Sequence, residues 1–236
     1  MSSTSQLGLP LVQPAQAQKH VTINEAFSRL DGLVELTLVS RSRTIPPTAV
    51  ADGVCYGVPV GAVNEWAGQA GRIAIGVNGG WEFADPRRGW RAMILDEGGQ
   101  SLFDGSAWQR GRVTLSPNNS GLSFHVAELD HAIAAGAVST TSVLIPSNAI
   151  VFGATARVTQ AITGTLTSWA LGNPGATGRF GTGISLSAGS WVRGVLSQPT
   201  SFYGPEVMQL DALGGSFSGG AVRIAVHFME IALPDQ

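Results

Sequence analysis

The sequence predicts a mainly β protein: a short N-terminal helix with a small Trp-rich antiparallel β module, then a C-terminal β-sandwich of the jelly-roll type. Two observations support this prediction. Short apolar runs between glycine turns recur along most of the 236 residues, a spacing typical of antiparallel sheets. The composition also changes along the chain, because the residues after 112 hold only ten of the 30 charged side chains and are rich in Gly, Ser, Thr and β-branched residues.

The helix is predicted from a capping signal and a periodic pattern. The segment Thr22–Glu25 fits a capping box, in which a threonine hydroxyl and a glutamate three residues later cap each other's backbone amides. Apolar side chains then recur at helical spacing, at Ala26, Phe27, Leu30, Leu33 and Val34. We expect the helix to end near Asp31 and Gly32. The polar segment Gln13–His20 before it is expected to be either an arm that docks on a neighbouring subunit or a frayed terminus.

These patterns divide the chain into three parts: residues 1–112 with the helix and the module, a junction at 113–136, and the sandwich at 137–236. Within the module, Arg72–Phe83 is predicted to be a hairpin, because Asn78-Gly79 supplies the positive φ angles of a tight turn. Strands are predicted in the sandwich at 143–145, 150–152, 154–162, 165–169, 183–186, 207–210 and 221–233. In the last of these, Ile224, Val226 and Phe228 share one face. Residues 172–183 are predicted to be a long loop.

The net charge and the hydropathy of the chain limit the kinds of partner that we expect. The net charge is −2 and Lys19 is the only lysine, so nothing favours binding to nucleic acid. No apolar run reaches the roughly 20 residues that span a bilayer, and the first residues lack a signal-peptide pattern. We therefore expect synthesis in a cytoplasm without membrane insertion. Because so little charge is available for solubility, we expect a homo-oligomer.

Catalytic and cofactor motifs are scarce. The chain lacks a Gly-x-Ser-x-Gly elbow and a phosphate-binding Gly-x-x-x-x-Gly-Lys loop, so we expect no cofactor. Cys55, the single cysteine, lies in a strand-like segment and is predicted to be a buried thiol.

Two groups of ionisable residues leave alternatives open. His125, Glu128, Asp130 and His131 form a His/carboxylate cluster, which is either a polar junction or part of a metal site; zinc requires three or four convergent ligands, and we expect no metal. The acids Glu206, Asp211 and Glu230 could provide the paired carboxylates of a polysaccharide depolymerase, which lie about 5–10 Å apart. The alternative is that these acids occupy turns and strand edges.

Aromatic residues supply the candidate binding sites, because tryptophan and tyrosine rings pack on the C–H faces of sugars. In the module, Trp66, Trp81, Trp90 and Trp108 either bind sugar or form the core of a small domain. In the sandwich, loops are the expected recognition elements. The carbohydrate-binding candidates there are Trp169, Asn173, Arg179, Trp191 and Tyr203.

The opening motifs resemble those of a family of phage and prophage proteins of unassigned function, also found in the gene transfer agents of alphaproteobacteria. The resemblance rests on Leu9–Glu25, Phe27–Asp31 and a series of aromatic-glycine motifs that continues to Gly89-Trp90. The second half looks like the C-terminal domain of the same class of virion proteins, in Arg157–Gly164, Arg179–Gly181, Gly214–Gly220 and Val222–His227.

This resemblance implies a head-spike or tail-fibre component on the surface of a phage-like particle. The N-terminal part is then expected to anchor to other virion proteins, and the sandwich to bind a surface polysaccharide of the host cell. The family provides no catalytic residues to transfer, so we expect a non-enzymatic adsorption protein. The alternatives are a purely structural connector or spike-base protein and a capsule depolymerase.

Overall fold

The computed structural model describes residues 3–12 and 19–235, and the chain folds as two compact units. The first unit comprises the described residues up to Asn119 together with Asp235, and the second is Ser120–Pro234. The division thus falls inside the stretch predicted as a junction, and residues 121–132 of that stretch form a strand of the second unit. Within the described residues, no helix is both long enough and apolar enough to cross a membrane.

The single α-helix of the described residues, α1, spans Lys19–Leu33. The predicted capping box is wrong, because Thr22 and Glu25 lie within the helix rather than at its start. Its buried side is also not the predicted stripe: Leu30 is exposed, whereas Gly32 is buried and packs so closely that an added Cβ would lie 2.7 Å from Ile75 Cγ2. Most of the predicted arm, residues 13–18, lies outside the described part of the chain.

A buried carboxylate fixes the N-terminal segment against this helix. Asp31 accepts hydrogen bonds from Thr4 Oγ1 at 2.7 Å and from the backbone N–H groups of Gln6 and Leu7 at 2.9 and 2.6 Å. Burial alone would raise the pKa of Asp31, but these hydrogen bonds outweigh it and hold the pKa below its usual value.

The first unit contains one seven-stranded sheet. Its strands are β1 (Thr37–Leu38), β2 (Cys55–Gly57), β3 (Ile73–Val77), β4 (Gly80–Ala84), β5 (Arg91–Ile94), β6 (Gly99–Phe103) and β7 (Trp108–Arg110), in the spatial order β4-β3-β2-β1-β5-β6-β7. The prediction of a purely antiparallel module is wrong at the centre, where β1 pairs in parallel with both β2 and β5. The physical reason is that β1 enters between two antiparallel meanders and joins them into one sheet.

The predicted hairpin at residues 72–83 is confirmed. β3 and β4 pair antiparallel, and the two residues between them, Asn78 and Gly79, have φ angles of 51° and 75°. Positive φ at both positions gives the turn a twist that matches the strands. A 3-10 turn at Asn64–Trp66 places the Trp66 ring in the core beneath this sheet.

The second unit is a sandwich of two four-stranded antiparallel sheets. Its strands are β8 (Gly121–Ala132), β9 (Val138–Ile145), β10 (Ala149–Gly164), β11 (Ser168–Asn173), β12 (Ala176–Ile184), β13 (Trp191–Phe202), β14 (Glu206–Leu213) and β15 (Phe217–Ala232). Sheet order is β13-β10-β15-β8 in one sheet and β12-β11-β14-β9 in the other. Every connection except β11–β12 crosses between the sheets, which is the arrangement of a jelly roll, as predicted.

Both sheets contribute to one core. Ile224, Val226 and Phe228 of β15 are buried, while Arg223 is exposed, so the predicted alternation of this strand is confirmed. β15 lies between β10 and β8, which explains why its inward face is so apolar. The opposite sheet supplies Trp169, Leu171, Phe180, Met208 and Leu210 to the same core.

Two predictions about the sandwich are wrong. Residues 172–183 are not a long loop but the β11–β12 hairpin, which turns at Pro174 and Gly175. The strand β13 was not predicted at all. Its interior glycine allows a close approach between the sheets, since a Cβ at Gly194 would lie 2.0 Å from the backbone oxygen of Phe180.

Candidate functional site

In the structure, the five predicted carbohydrate-binding residues do not lie together but are spread over the second unit. Trp169 on β11 has no exposed surface, and its Nε1 donates to the backbone oxygen of Ser185 at 3.2 Å. Asn173, at the end of β11, is also buried, with its amide nitrogen 3.3 Å from the oxygen of Pro174. Both side chains are packed into the protein, so neither reaches a ligand at the surface of this structure.

Arg179 and Tyr203 lie near one end of β13. The Arg179 guanidinium carbon sits 5.5 Å from the centre of the Phe202 ring, a cation–π contact within the protein. Tyr203 directly follows β13 and is 85% exposed. These positions are accessible, but they are separated from Trp191 by the length of the strand.

Trp191 begins β13 and is 60% exposed, which is unusual for a tryptophan. Its cross-strand partner is Arg157 of β10, and Arg157 is paired on its other side with Arg223 of β15. The Arg193 guanidinium carbon lies 5.9 Å from the centre of the Trp191 ring. Strand alternation places all four side chains on the solvent face of the sheet.

These residues line a groove of about 440 Å³ on the solvent face of the β13-β10-β15-β8 sheet. We refer to it as the Trp191 groove. Its members are Trp191, Val192, Arg193, Thr155, Ala156, Arg157, Thr159, Arg223, Ala225 and Glu128. The volume lies in the range of small-ligand sites, roughly 300–1,000 Å³, but the groove is open along a flat sheet and suits part of an extended polymer.

One arginine of the groove is already paired. Arg223 donates to both carboxylate oxygens of Asp130, with its Nε and Nη2 each 2.8 Å away, and its Nε lies 3.9 Å from Glu128 Oε1. The hydrogen bonds from Arg223 lower the pKa of Asp130, so this carboxylate remains ionised. The bidentate pair fixes the Arg223 side chain in place at the β15–β8 side of the groove.

The groove combines the side chains that sugars need. The Trp191 ring offers a flat apolar face, the guanidinium groups donate hydrogen bonds in fixed directions, and Thr155 and Thr159 offer hydroxyls. Of these residues, the sequence singled out only Trp191 as a binding candidate. Polar residues at every second position of β10 (Thr155, Arg157 and Thr159) were the signal that could have identified the solvent face.

The His/carboxylate cluster is extended rather than gathered. Residues 125–131 lie along β8, where His125 stacks on Phe228 and its Nε2 lies 3.4 Å from Glu230 Oε2. At the other end, His131 Nε2 lies 2.8 Å from Ser139 Oγ, and burial lowers the pKa of His131. Among the residues that the structure describes, no three His, Cys, Asp or Glu side chains are grouped to hold a metal ion.

The three acids considered for a depolymerase are also spread out. Glu206 and Asp211 are five residues apart on β14, a separation of roughly 17 Å along an extended strand. Glu230 belongs to the other sheet. Paired catalytic carboxylates lie about 5–10 Å apart, so Glu206 and Asp211 do not have that spacing.

The tryptophans of the first unit serve its cores, as one of the two alternatives predicts. Trp66 is fully buried and packs edge-to-face on Trp81 and at a tilt on Tyr56, with ring centres 5.2 Å apart in both pairs. Trp108 is buried against Phe103, also at 5.2 Å, and Trp90 packs partly buried against the same core.

The prediction of a buried thiol at Cys55 is confirmed. The side chain is enclosed, and its Sγ lies 3.3 Å from the backbone oxygen of Gly32. Burial, with a smaller contribution from the negative charge of Asp31, raises the pKa of Cys55 to about 12. The thiol therefore stays protonated and serves packing.

Comparison with known proteins gives a family match and structural likenesses. Residues 23–109 match a family described as a protein of unknown function, DUF2793. A chain of the cyanophage Pam1 capsid asymmetric unit is 19% identical, with a TM-score of 0.37, over 50% of this chain and 93% of its own length. No curated protein matches the sequence.

Proposed function

We propose that this protein is a non-enzymatic spike or fibre component on the surface of a phage-like particle, and that it adsorbs to a surface polysaccharide of the host cell. The virion role is supported by the motifs of the first 110 residues, which resemble those of phage and gene transfer agent proteins. In this role the first unit anchors to other virion proteins and the second unit binds the polysaccharide.

The observation that carries the adsorption role is the Trp191 groove. An indole ring that is 60% exposed and flanked by Arg157 and Arg193 is poorly explained by packing within the chain. A ring exposed on a regular strand is already ordered, so stacking on a sugar costs little conformational entropy. The open groove accommodates a polymer that continues past the site in both directions.

A binding role rather than a catalytic one is supported by the two carboxylates that pair with Arg223 at the β8 side of the groove. Glu128 and Asp130 are both more than half exposed, and Arg223 holds the pKa of Asp130 below its usual range. A glycosidase needs one carboxylic acid whose pKa is raised so that it can donate a proton near neutral pH. The hydrogen bonds from Arg223 change the pKa of Asp130 in the opposite direction, because they lower it.

Weak single sites suffice if several copies act together. One sugar contact on an open surface binds weakly, but linked sites on an oligomer or particle raise the effective concentration and hence the avidity. The low charge of the chain, 30 ionised side chains in 236 residues, fits association with further copies or with other virion proteins.

The test is binding of the purified full-length chain to encapsulated and acapsular cells of the same alphaproteobacterial strains, and to an array of bacterial capsule polysaccharides. We expect binding to encapsulated cells that is lost without capsule. Failure to bind any cell or polysaccharide, even after cross-linking into oligomers, would overturn adsorption and favour a structural connector. Release of reducing ends from a bound polysaccharide would instead identify a depolymerase.

A further inference from the structure

The charges of the Trp191 groove are distributed unevenly. At the β8 side, Arg223 faces two carboxylates, Asp130 and Glu128, so the negative charges outnumber the positive one. At the β13 side, Arg157 and Arg193 have no carboxylate within 4 Å among the described residues. The groove therefore has one end with a net negative charge and one cationic end, and the exposed indole of Trp191 is at the cationic end.

The side chains of Arg157 and Arg193, the two arginines without a carboxylate partner, are each positioned by a contact within the chain. Arg157 donates from Nη1 to the backbone oxygen of Gly189 at 3.2 Å, which leaves its other N–H groups available. Arg193 is placed over the Trp191 ring, 5.9 Å from its centre, and is the cross-strand partner of Thr155. Two guanidinium groups beside one aromatic face form a geometry suited to a flat anion attached to a ring.

We propose that the cationic end of the Trp191 groove is a subsite for a carboxylate-bearing sugar, such as a uronic acid unit of an acidic polysaccharide. This inference rests on the adsorption function proposed above and specifies its ligand. The sugar ring stacks on Trp191, and its carboxylate accepts hydrogen bonds from Arg157 and Arg193. Guanidinium is the side chain best matched to carboxylate, because its N–H groups form a planar fork.

The test uses the full-length protein and two forms of one polymer: polygalacturonate, and the same polysaccharide after chemical reduction of its carboxyl groups. We expect the acidic form to bind at least about ten-fold more tightly, because hydrogen bonds to a charged group are stronger than those to a neutral hydroxyl. The double variant Arg157→Gln/Arg193→Gln should lose this preference. Its melting temperature should stay near that of the wild type, because both side chains are exposed.

The matched control is Arg179→Gln, which removes one positive charge from the same unit but from β12, where the arginine packs on Phe202. It should keep the preference for the acidic polymer, and Arg157→Gln alone should reduce it. Dextran sulfate is the second polymer control, since equal binding to it would show general attraction to polyanions and overturn the carboxylate subsite.

The outcomes separate this inference from the function on which it rests. Equal binding of the acidic and the reduced polymer would overturn the carboxylate subsite and leave polysaccharide adsorption standing. A preference for the acidic polymer that survives in Arg157→Gln/Arg193→Gln would place the subsite elsewhere and overturn the inference. Absence of binding to both polymers and to every capsule polysaccharide would overturn the adsorption function together with the subsite.

Discussion

Arg157 and Trp191 are direct cross-strand partners on the β10–β13 pair, and both side chains face solvent. Their neighbours Ala156 and Val192 are paired with each other one position along and face the core. The candidate site is thus a consequence of strand alternation: side chains that pack in the sandwich core alternate along the same two strands with the exposed side chains of the groove.

The first prediction concerns the two exposed aromatic residues at the ends of β13, Trp191 at its start and Tyr203 directly after it. Trp191→Ala should weaken polysaccharide binding by about ten-fold or more, corresponding to roughly 1.4 kcal/mol of lost apolar burial against the sugar. Tyr203→Ala removes a more exposed ring at the other end of the strand and should leave binding unchanged. The measurement is titration of the full-length protein with a capsule polysaccharide that binds the wild type.

Trp191→Phe serves as the intermediate variant, since a smaller flat ring should retain part of the affinity. If Tyr203→Ala is the variant that loses binding while Trp191→Ala does not, the ligand is bound at the Phe202 end of β13, where Arg179 lies. That result would remove the Trp191 groove from the proposed function.

The second prediction contrasts the two tryptophans of the sandwich. Trp169→Ala should lower the free energy of unfolding by about 3–5 kcal/mol, because it empties a fully buried site between the sheets. Trp191→Ala should change it by less than about 1 kcal/mol, because the ring is mostly solvated. Denaturant unfolding followed by circular dichroism gives both values, and similar losses for the two variants would contradict the packing described here.

The sandwich architecture could be predicted because its signals are local. Ile224, Val226 and Phe228 are apolar at every second position of the last strand, and Asn78-Gly79 encodes a tight turn by itself. The start of the helix was predicted wrongly, since Thr22 and Glu25 match a capping box in sequence but are interior positions of a longer helix. Capping motifs identify a helix better than they fix its first residue.

The site was predictable only in part, because it depends on a strand that the sequence pattern does not indicate. Residues 191–202 contain Gly194 and Pro199 and lack a clear apolar alternation, which is tolerated because β13 is an edge strand. Arg157 lies beside Trp191 only because β13 pairs with β10, so a prediction that misses β13 cannot bring these two residues together. Conversely, Trp169 ends a predicted strand and was expected to lie near a recognition loop, but it is a core residue.

The third prediction tests the close contact between the sheets at β13. Gly194→Ala should lower the free energy of unfolding by about 2 kcal/mol or more, because the new Cβ would lie 2.0 Å from the backbone oxygen of Phe180 and backbone must move. Gly204→Ala is the matched control, since a Cβ there meets no atom within 4 Å. Equal melting temperatures for the two variants would refute this contact.

The basis of the fourth prediction is a carboxylate that organises the β6–β7 turn. Asp104 accepts hydrogen bonds at 2.8 Å from the backbone N–H groups of Ser106 and Ala107, and at 2.6 Å from Gln109 Nε2. Burial by itself would raise the pKa of Asp104, but the hydrogen bonds from Ala107, Ser106 and Gln109 outweigh it and lower the pKa to about 2.

A carboxylate whose pKa is lowered in the folded state stabilises that state above its ordinary pKa near 3.8, and the stabilisation is lost as the pH falls toward 2. Asp104→Asn should therefore cost about 1–2 kcal/mol at pH 6, and this difference from the wild type should shrink steadily between about pH 4 and pH 2. Hydrogen exchange at the Ser106 and Ala107 amides reports the turn itself. A deficit in the variant that stays constant down to pH 2 would show that the charge of Asp104 contributes nothing, and that only the shape of the side chain matters.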